Sequence, residues 1–306
     1  MKKNFLKLFI VFTFFGCEEM STVIDIDLPE HNPLLVVNSV PEIKDYVRVY
    51  ISHSLDPLSN NQYKFLDDAT VLLKYDNIID TALFVQSSSE EPCYYNVPNL
   101  IEGKTYTLEA YHHDYPTANS TISVPFGVAI ENVQVDSLYE NRILLNFSII
   151  DPIEENYYYL RFTIKQNGKW KTTAFESSDP SFDDRGLIDD GQISGRKILF
   201  NDQLFNNSKK SFDVNLIIKN NDSDDQFSLD NDNINLSIDS VKIHFFTITE
   251  SYYKYHLSRK MQDRNENNPL NNLLGTEPVV VYNNINNGYG VFGVRVKKDT
   301  VIPINY

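Results

Sequence analysis

Two loops rich in aspartate hold the side chains best suited to chemistry. The first is "SFDDRGLIDDGQ" and the second is "NNDSDDQFSLDNDN". Their aspartates are Asp183, Asp184, Asp189 and Asp190, followed by Asp222, Asp224, Asp225, Asp230 and Asp232. Carboxylate oxygens at alternate positions are ligands that Ca²⁺ prefers, but neither loop has the glycine and glutamate of an EF-hand. Solvated acidic loops are the preferred interpretation, and weak Ca²⁺ binding by Asp222, Asp224 and Asp225 is the alternative.

Signs of a catalytic centre are missing from the sequence. The histidines are His31, His53, His112, His113, His244 and His256, and their spacing is not typical of metal ligands. His112 and His113 would point to opposite faces of a strand, so we do not expect them to share an ion. The chain has no G-x-S-x-G, no H-E-x-x-H and no phosphate-binding glycine loop. A glycosidase would need two carboxylates fixed across a cleft, which loops of aspartate do not establish. We therefore predict a protein that is not an enzyme and needs no cofactor.

The stretch "FTFFGCEEM" surrounds a cysteine close to the N-terminus, Cys17. Three lysines come first, and an apolar run over residues 8–15 follows, which is shorter than the roughly 20 residues that span a membrane. This arrangement predicts a signal peptide over residues 1–16. The residues before Cys17 resemble a bacterial lipobox, which implies that Cys17 is acylated and becomes the new N-terminus. The alternative is an ordinary secreted protein.

Charge and cysteine content limit the classes of partner and of fold. The net charge is −15, and without residues 1–16 the chain has 24 basic and 42 acidic residues, a net charge of −18. Such a surface repels nucleic acid and anionic lipid headgroups. The other cysteine, Cys93, has no partner for a disulfide if Cys17 carries lipid. We expect Cys93 to be a small buried residue on a strand.

Short strands separated by turn residues dominate the chain. In "YVRVYISHS", Val47, Val49 and Ile51 alternate with polar residues, and "NRILLNFSII" repeats this period of two. Asn167-Gly168 predicts a tight hairpin. The pattern predicts an all-β protein with two immunoglobulin-like β-sandwich domains. The predicted boundaries are a signal peptide at 1–16, an acidic tether at 17–29, an N-terminal sandwich at 30–126 and a C-terminal sandwich at 127–306.

One segment of the second domain has the period of a helix. In "TITESYYKYHLSRKMQ", Thr247 and Glu250 have the spacing of a capping box. Tyr253, Leu257 and Met261 then recur every four residues. We predict an amphipathic helix near residues 249–263, packed on the second sandwich by this stripe. An aromatic strip that binds a ligand is the alternative.

The segment "NNINNGYGVFG" is rich in glycine near the C-terminus. Its glycines would permit a close approach of two backbones, and a tight turn into the last core strand is the preferred interpretation. Partner contact by Tyr289 and Phe292 is the alternative.

Three segments together resemble one family across essentially the whole mature chain. They are "IDIDLPEHNPLLVVNSV", "YVRVYISHSLDP" and "NNPLNNLLGTEPVVVYNNINNGYGVFGV". The family is the Bacteroidota lipoproteins known as domain of unknown function 4249. The resemblance implies an outer-membrane lipoprotein, often associated with TonB-dependent transporters. It also implies an N-terminal sandwich similar to transthyretin-like domains. Glu18 and Glu19 resemble the phylum's signal for export to the cell surface.

These observations predict a non-catalytic accessory subunit. It would be anchored in the outer membrane through the lipid on Cys17, on the cell surface or on the periplasmic face. Its partner would be a TonB-dependent barrel engaged in nutrient uptake. A free-standing adhesin or glycan-binding module is the alternative, and a surface hydrolase is a third.

Overall fold

Strands make up most of the computed structural model, which describes residues 32–56, 64–86, 91–96, 100–139, 142–182, 193–218, 238–267 and 279–304. The strands are β1 (Leu35–Ser39), β2 (Val47–His53), β3 (Thr70–Tyr75), β4 (Ile78–Val85), β5 (Cys93–Asn96), β6 (Thr105–His112), β7 (Tyr115–Ser123), β8 (Ile130–Tyr139), β9 (Arg142–Ile150), β10 (Tyr157–Gln166), β11 (Lys169–Ser177), β12 (Ile193–Gly195), β13 (Lys197–Asn201), β14 (Lys209–Ile217), β15 (Ile238–Ile248), β16 (Gly288–Phe292) and β17 (Arg295–Pro303). One α-helix lies among these residues, α1 (Glu250–Asn267), and a 3₁₀ turn covers Pro180–Phe182.

The first sheet has eight strands in the order β16-β1-β2-β5-β4-β3-β6-β7. Its inward side chains follow the period of two, and Val47, Val49 and Ile51 of β2 are all buried. The sheet curls until its two end strands approach each other. Asn119 of β7 and Asn286, just before β16, exchange backbone hydrogen bonds of 2.8 and 3.2 Å. The apolar side chains therefore point into one nearly closed core.

The second sheet has nine strands and a core rich in phenylalanine. Its main order is β17-β15-β10-β11-β14-β9-β8, with β12 paired to β11 and β13 paired to β10. The rings of Phe162, Phe175, Phe182 and Phe212 meet at centroid distances of about 5 to 6 Å in this core. Aromatic rings bury a large apolar area each. This burial is a source of stability that depends on no covalent cross-link.

The prediction of an all-β protein with two β-rich domains is confirmed. Asn167 and Gly168 have φ of 52° and 77° and join β10 to β11, as the hairpin prediction requires. Cys93 is buried on β5, as expected. The predicted boundary at residue 127 stays a prediction. The structure adds that β16, from the C-terminal part of the chain, is parallel to β1 and belongs to the first sheet.

The helix is longer than predicted and is capped by a different threonine. It has 18 residues and begins at Glu250. Thr247 lies on β15, where its Oγ1 accepts the Val128 N–H at 3.0 Å, so the predicted capping box is wrong. Thr249 is the cap, because its Oγ1 accepts the Tyr252 N–H at 3.4 Å. Because Thr247 belongs to β15, the next threonine in the chain, Thr249, caps the helix.

The helix packs on the second sheet mainly through its first turn. Tyr252 is buried in a small cluster with Tyr157, Tyr159, Phe246 and Ile248. Of the predicted stripe, Tyr253 packs against this cluster, and its ring is tilted against that of Tyr157 at a centroid distance of 4.9 Å. Tyr253, Leu257 and Met261 are all half-buried, and the cluster does not include Leu257 or Met261. Core packing is therefore the role of Tyr253, and the rest of the helix extends over the surface of the sheet.

Candidate functional site

Several predicted site residues lie outside the described part of the chain. They are Cys17, Glu18 and Glu19, together with Asp183, Asp184, Asp189, Asp190, Asp222, Asp224, Asp225, Asp230 and Asp232. The lipid anchor, the export signal and the weak Ca²⁺ site therefore stay predictions.

The glycine-rich ending forms β16, and only one of its two aromatic residues is exposed. A Cβ atom at Gly288 would lie 2.7 Å from the Leu35 carbonyl oxygen, so the close backbone approach expected of these glycines is present. Tyr289 is 48% exposed. Phe292 is fully buried in the first core. Phe292 therefore has no surface for a partner in this structure, and the predicted partner contact is corrected to Tyr289 alone.

His112 and His113 lie together, contrary to the expectation that they point to opposite faces. That expectation is wrong because β6 ends at His112, and His113 belongs to the turn before β7. The two rings stack with centroids 4.3 Å apart. A ligand atom of Asp68 completes a group whose atoms all lie within 4.8 Å of one another. The geometry thus brings together three side chains that could bind a metal.

The hydrogen bonds of His112 do not fit metal coordination. Its Nδ1 accepts the Asp114 N–H at 3.1 Å, so the neutral ring carries its proton on Nε2, which donates to Asp68 at 3.0 Å. A metal on Nε2 would require the proton to move to Nδ1, where the Asp114 N–H already points. The group is best explained as a turn stabilised by hydrogen bonds.

One cavity in the described part of the chain is a groove between α1 and the first sheet. We call it the α1 groove, and it has a volume of about 470 Å³. Residues 38–50 form one wall, residues 252–259 of the helix form the other, and Val291 and Arg295 contribute to the lining. Its aromatic side chains are Tyr46, Tyr50, Tyr252, Tyr255 and His256. Flat rings beside a few charged groups are typical of sites for organic ligands.

Thr249 fixes the helix wall of the groove. Besides capping α1, its Oγ1 accepts the Val294 N–H at 3.1 Å. Its backbone N–H also donates to the Val294 carbonyl at 3.1 Å. Two residues further on, Ser251 donates from Oγ to the Phe292 carbonyl at 2.8 Å. The start of α1 is therefore attached to the chain directly after β16, which is itself paired with the opposite wall.

Both carboxylates of the groove lie close to cations. Glu42 lies 3.0 Å from Lys297 Nζ and 3.9 Å from Arg295. Asp45 accepts the Tyr46 N–H at 2.8 Å and lies 4.0 Å from Arg48. Glu42 is engaged by two cations, and Asp45 by a backbone N–H and an arginine, so this pair does not resemble the acid and base of a hydrolase.

His256 is the one histidine in the groove, and it is kept neutral. Burial, followed by the charges of Lys197, Arg259 and Arg295, lowers the pKa of His256 to about 4. Its ring lies 4.3 Å from that of Tyr252. At pH 7 it therefore offers a flat, uncharged surface and a hydrogen bond, and it is a weak base.

A second cavity, of about 580 Å³, lies beside the first residues of α1. Its aromatic lining residues are Phe126, Tyr157 and Tyr282. Its charged residues are acidic, and Tyr157 donates to Glu155 at 2.8 Å. Burial, and then Glu155 and Glu250, raise the pKa of Tyr157. This cavity would repel an anion, whereas the α1 groove has cations on its walls.

Only one wall of the α1 groove has a signal in the sequence. The period of the tyrosine-rich segment predicts the helix, with an aromatic strip that binds a ligand as the alternative to core packing. In the structure these tyrosines have different roles, because Tyr253 packs against the cluster around Tyr252 and Tyr255 lines the groove. The opposite wall, with Tyr46 and Tyr50, was missed because it is some 200 residues away in the chain.

No α-helix in the described residues is both long enough and apolar enough to cross a membrane. No curated protein matches the chain. Among solved structures, the crystal structure of native α-L-rhamnosidase from Aspergillus terreus matches with a TM-score of 0.30 and 11% identity. The match covers 70% of this chain but only 27% of the enzyme, and a likeness this low carries no argument. The family model described as Domain of unknown function (DUF4249) matches residues 21–300. The chain belongs to this family.

Proposed function

We propose that the protein is a non-catalytic binding protein that holds an organic ligand in the α1 groove. The observation that carries this proposal is the concentration of aromatic side chains, Tyr46, Tyr50, Tyr252, Tyr255 and His256, around one cavity of about 470 Å³. A cavity of this size can enclose a small molecule or a few sugar or amino-acid residues. Flat rings bind such ligands by stacking at a low cost in side-chain entropy.

Binding accounts for the groove better than catalysis does. Its carboxylates, Glu42 and Asp45, lie beside cations at 3.0 to 4.0 Å. His256, with its low pKa, is a poor general base at neutral pH. A hydrolase would need at least one pair of groups set up for proton transfer.

The proposal includes the lipid anchor and the transporter. Cys17 would attach the protein to the outer membrane, with the acidic tether of residues 17–29 between the lipid and the first sheet. Because the mature chain has a net charge of −18, it would be repelled by anionic headgroups, and attachment would depend on the lipid. Glu18 and Glu19 would direct it to the cell surface. There it would deliver ligand to a TonB-dependent barrel as its accessory subunit.

An affinity purification tests this role. The full-length protein with a C-terminal tag would be purified from detergent-solubilised outer membranes, and the proteins that co-purify would be identified by mass spectrometry. We expect a barrel in a 1:1 ratio. Tyr289→Ala should lower its recovery, because Tyr289 is an exposed aromatic residue of β16. Tyr111→Ala is the matched control, since Tyr111 is 55% exposed on the first sheet and lies outside the groove.

The same experiment separates the alternatives. If the protein is recovered alone at several detergent strengths, the transporter role is refuted. A free-standing glycan-binding protein would then be tested by titrating purified oligosaccharides and following the intrinsic fluorescence. In that case Tyr255→Ala should weaken binding by about tenfold, the usual effect of losing one stacking contact.

A further inference from the structure

Five cations lie beside the α1 groove, four of them on the outer face of the second sheet and one on α1. We call them the basic cluster, and they are Arg161, Lys197, Arg259, Arg295 and Lys297. Three of them surround one ring, that of Phe246. The Arg161 and Arg295 guanidinium carbons lie 5.8 and 5.6 Å from its centroid, and the Lys297 Nζ lies 5.9 Å away. Lys197 is paired with Arg161 across neighbouring strands.

Strand register places the cluster on this face. β10, β15 and β17 are adjacent, and Phe246 of β15 is opposite Tyr159 on one side and Lys297 on the other. Residues two positions apart share a face of the sheet. Arg161 therefore joins Tyr159, and Arg295 joins Lys297, on the face that α1 covers in part. Arg295 also lines the α1 groove, so the cluster and the groove form one continuous surface.

The carboxylates in contact with the cluster are too few to neutralise it. Among the described residues, Glu42 pairs with Lys297 and Arg295, and Asp299 lies 3.7 Å from Lys297. Arg259, on the helix, has Asp263 and Glu266 in its vicinity and hydrogen-bonds Tyr255. His244 shares Asp299, at 3.0 Å, and burial lowers its pKa, so it adds no charge at pH 7. An excess of positive charge therefore remains, in a chain whose net charge is −15.

Two donors of the cluster have no acceptor. The Nε atoms of Arg161 and Arg295 are buried from water and form no hydrogen bond with any of the described residues. Nearly all buried polar groups in folded proteins are paired, so an unpaired donor calls for an explanation. A guanidinium binds an oxyanion side-on through Nε–H and a terminal N–H together. Each guanidinium already hydrogen-bonds a tyrosine side chain, Arg161 that of Tyr159 and Arg295 that of Tyr252. An oxyanion would supply the acceptor that the two Nε–H groups still lack.

We propose that the basic cluster binds the anionic group, a carboxylate or a phosphate, of a ligand whose remaining part lies in the α1 groove. The inference rests on the proposed binding function and adds the chemical class of the ligand. Arg161 and Arg295 hold the oxyanion, and the other cations of the cluster attract it. The acidic surface elsewhere keeps other sites from competing, because it repels anions.

A titration with two simple probes tests the inference. The full-length protein in detergent is titrated with inorganic phosphate and, separately, with acetate at constant ionic strength, and binding is followed by calorimetry and by the melting temperature. At least one probe should bind and raise the melting temperature. The probe that binds more tightly identifies the class of anion. Arg161→Gln and Arg295→Gln should each weaken binding about ten- to hundredfold, the effect of losing a hydrogen bond to a charged group.

Controls separate a specific site from general attraction. Arg142→Gln makes the same change of charge at an exposed arginine that pairs with Glu176, away from the cluster. It should leave binding unchanged. Equal losses in all three variants, or no binding of either probe by the wild type, would overturn the inference. Arg161→Lys covers the case in which a glutamine variant fails to fold, because it keeps the charge and removes the side-on pair of donors. It too should weaken binding, and full retention would count against the two-donor contact.

The inference and the proposed function can fail separately. Tyr50→Ala removes a groove contact and should leave binding of the small probes intact, since Tyr50 does not belong to the cluster. The probes can bind as expected while Tyr289→Ala leaves recovery of the barrel unchanged and the groove variants leave ligand binding unchanged. In that case the anion site is supported and the proposed function is refuted. If a barrel or an oligosaccharide is bound and the probes are not, the anion site alone is refuted.

Discussion

Replacing Gly290 with alanine should lower the free energy of unfolding by much more than the same replacement at Gly168. Gly290 has a φ of 117°, which L-residues rarely adopt. A Cβ there would lie 2.8 Å from the Val37 carbonyl carbon and would overlap the carbonyl oxygen. The backbone strain costs about 1–3 kcal/mol. The overlap also pushes β16 away from β1 and weakens at least two backbone hydrogen bonds, at about 1 kcal/mol each.

The expected loss is therefore about 3–5 kcal/mol, a large part of the roughly 5–15 kcal/mol that stabilises most proteins. Urea unfolding of the full-length protein measures it. Gly168→Ala is the matched control, because Gly168 also has a positive φ, 77°, but nothing lies within 4 Å of its Cβ position. It should cost only about 1 kcal/mol. If both variants lose the same free energy of unfolding, the close approach of β1 and β16 does not determine the cost at Gly290, and the reasoning fails.

Three further predictions concern the helix, pH and the anchor. Thr249→Val should cost about 2–4 kcal/mol in urea unfolding, because it removes the cap and orphans the Val294 N–H, while Thr249→Ser should restore most of it. His256 stays neutral in the folded protein down to its pKa of about 4, whereas an ordinary histidine in the unfolded chain takes up a proton below about pH 6.5. The free energy of unfolding should therefore fall as the pH drops from 6.5 to 4. The contribution of His256 to this decrease is about 1–2 kcal/mol after allowance for partial exposure. It should vanish in His256→Gln and persist in His113→Gln, which replaces an exposed histidine. Cys17→Ser should abolish partition into detergent and the lipid mass in intact-mass spectrometry, and a variant that still fractionates with membranes would refute the lipid anchor.

The features that the sequence predicted correctly are those with a local signal. The alternation of Val47, Val49 and Ile51 specifies which face of β2 is buried. Asn167-Gly168 specifies its own turn, because both residues tolerate a positive φ. Cys93, which precedes two tyrosines on a short strand pattern, is predicted to be buried, and it is.

The features that the sequence missed depend on contacts between distant segments. The pairing of β16 with β1 joins residues some 250 positions apart, and the Asn38 side chain accepts the Val291 N–H at 3.2 Å there. No periodicity within "NNINNGYGVFG" specifies the strand with which it pairs. The error at the helix start has a similar cause, since Thr247 is a good cap in isolation and is lost to β15 only in the folded sheet. His112 and His113 were misjudged because a turn ends the strand between them.

The missed contact is also what creates the candidate site. The first wall of the α1 groove belongs to β1 and β2, and the second wall belongs to α1, which follows β15 of the other sheet. β16 joins the two walls, because it pairs with β1 and continues into the Val294 segment that Thr249 holds. Arg295 follows directly and contributes to both the groove and the basic cluster. Gly290→Ala should therefore weaken the binding of phosphate or acetate even in the absence of urea, where the protein remains folded. Gly168→Ala should leave this binding unchanged. Tight probe binding by a folded Gly290→Ala protein would show that the cluster forms without the β1–β16 pair, and the site would then belong to the second sheet alone.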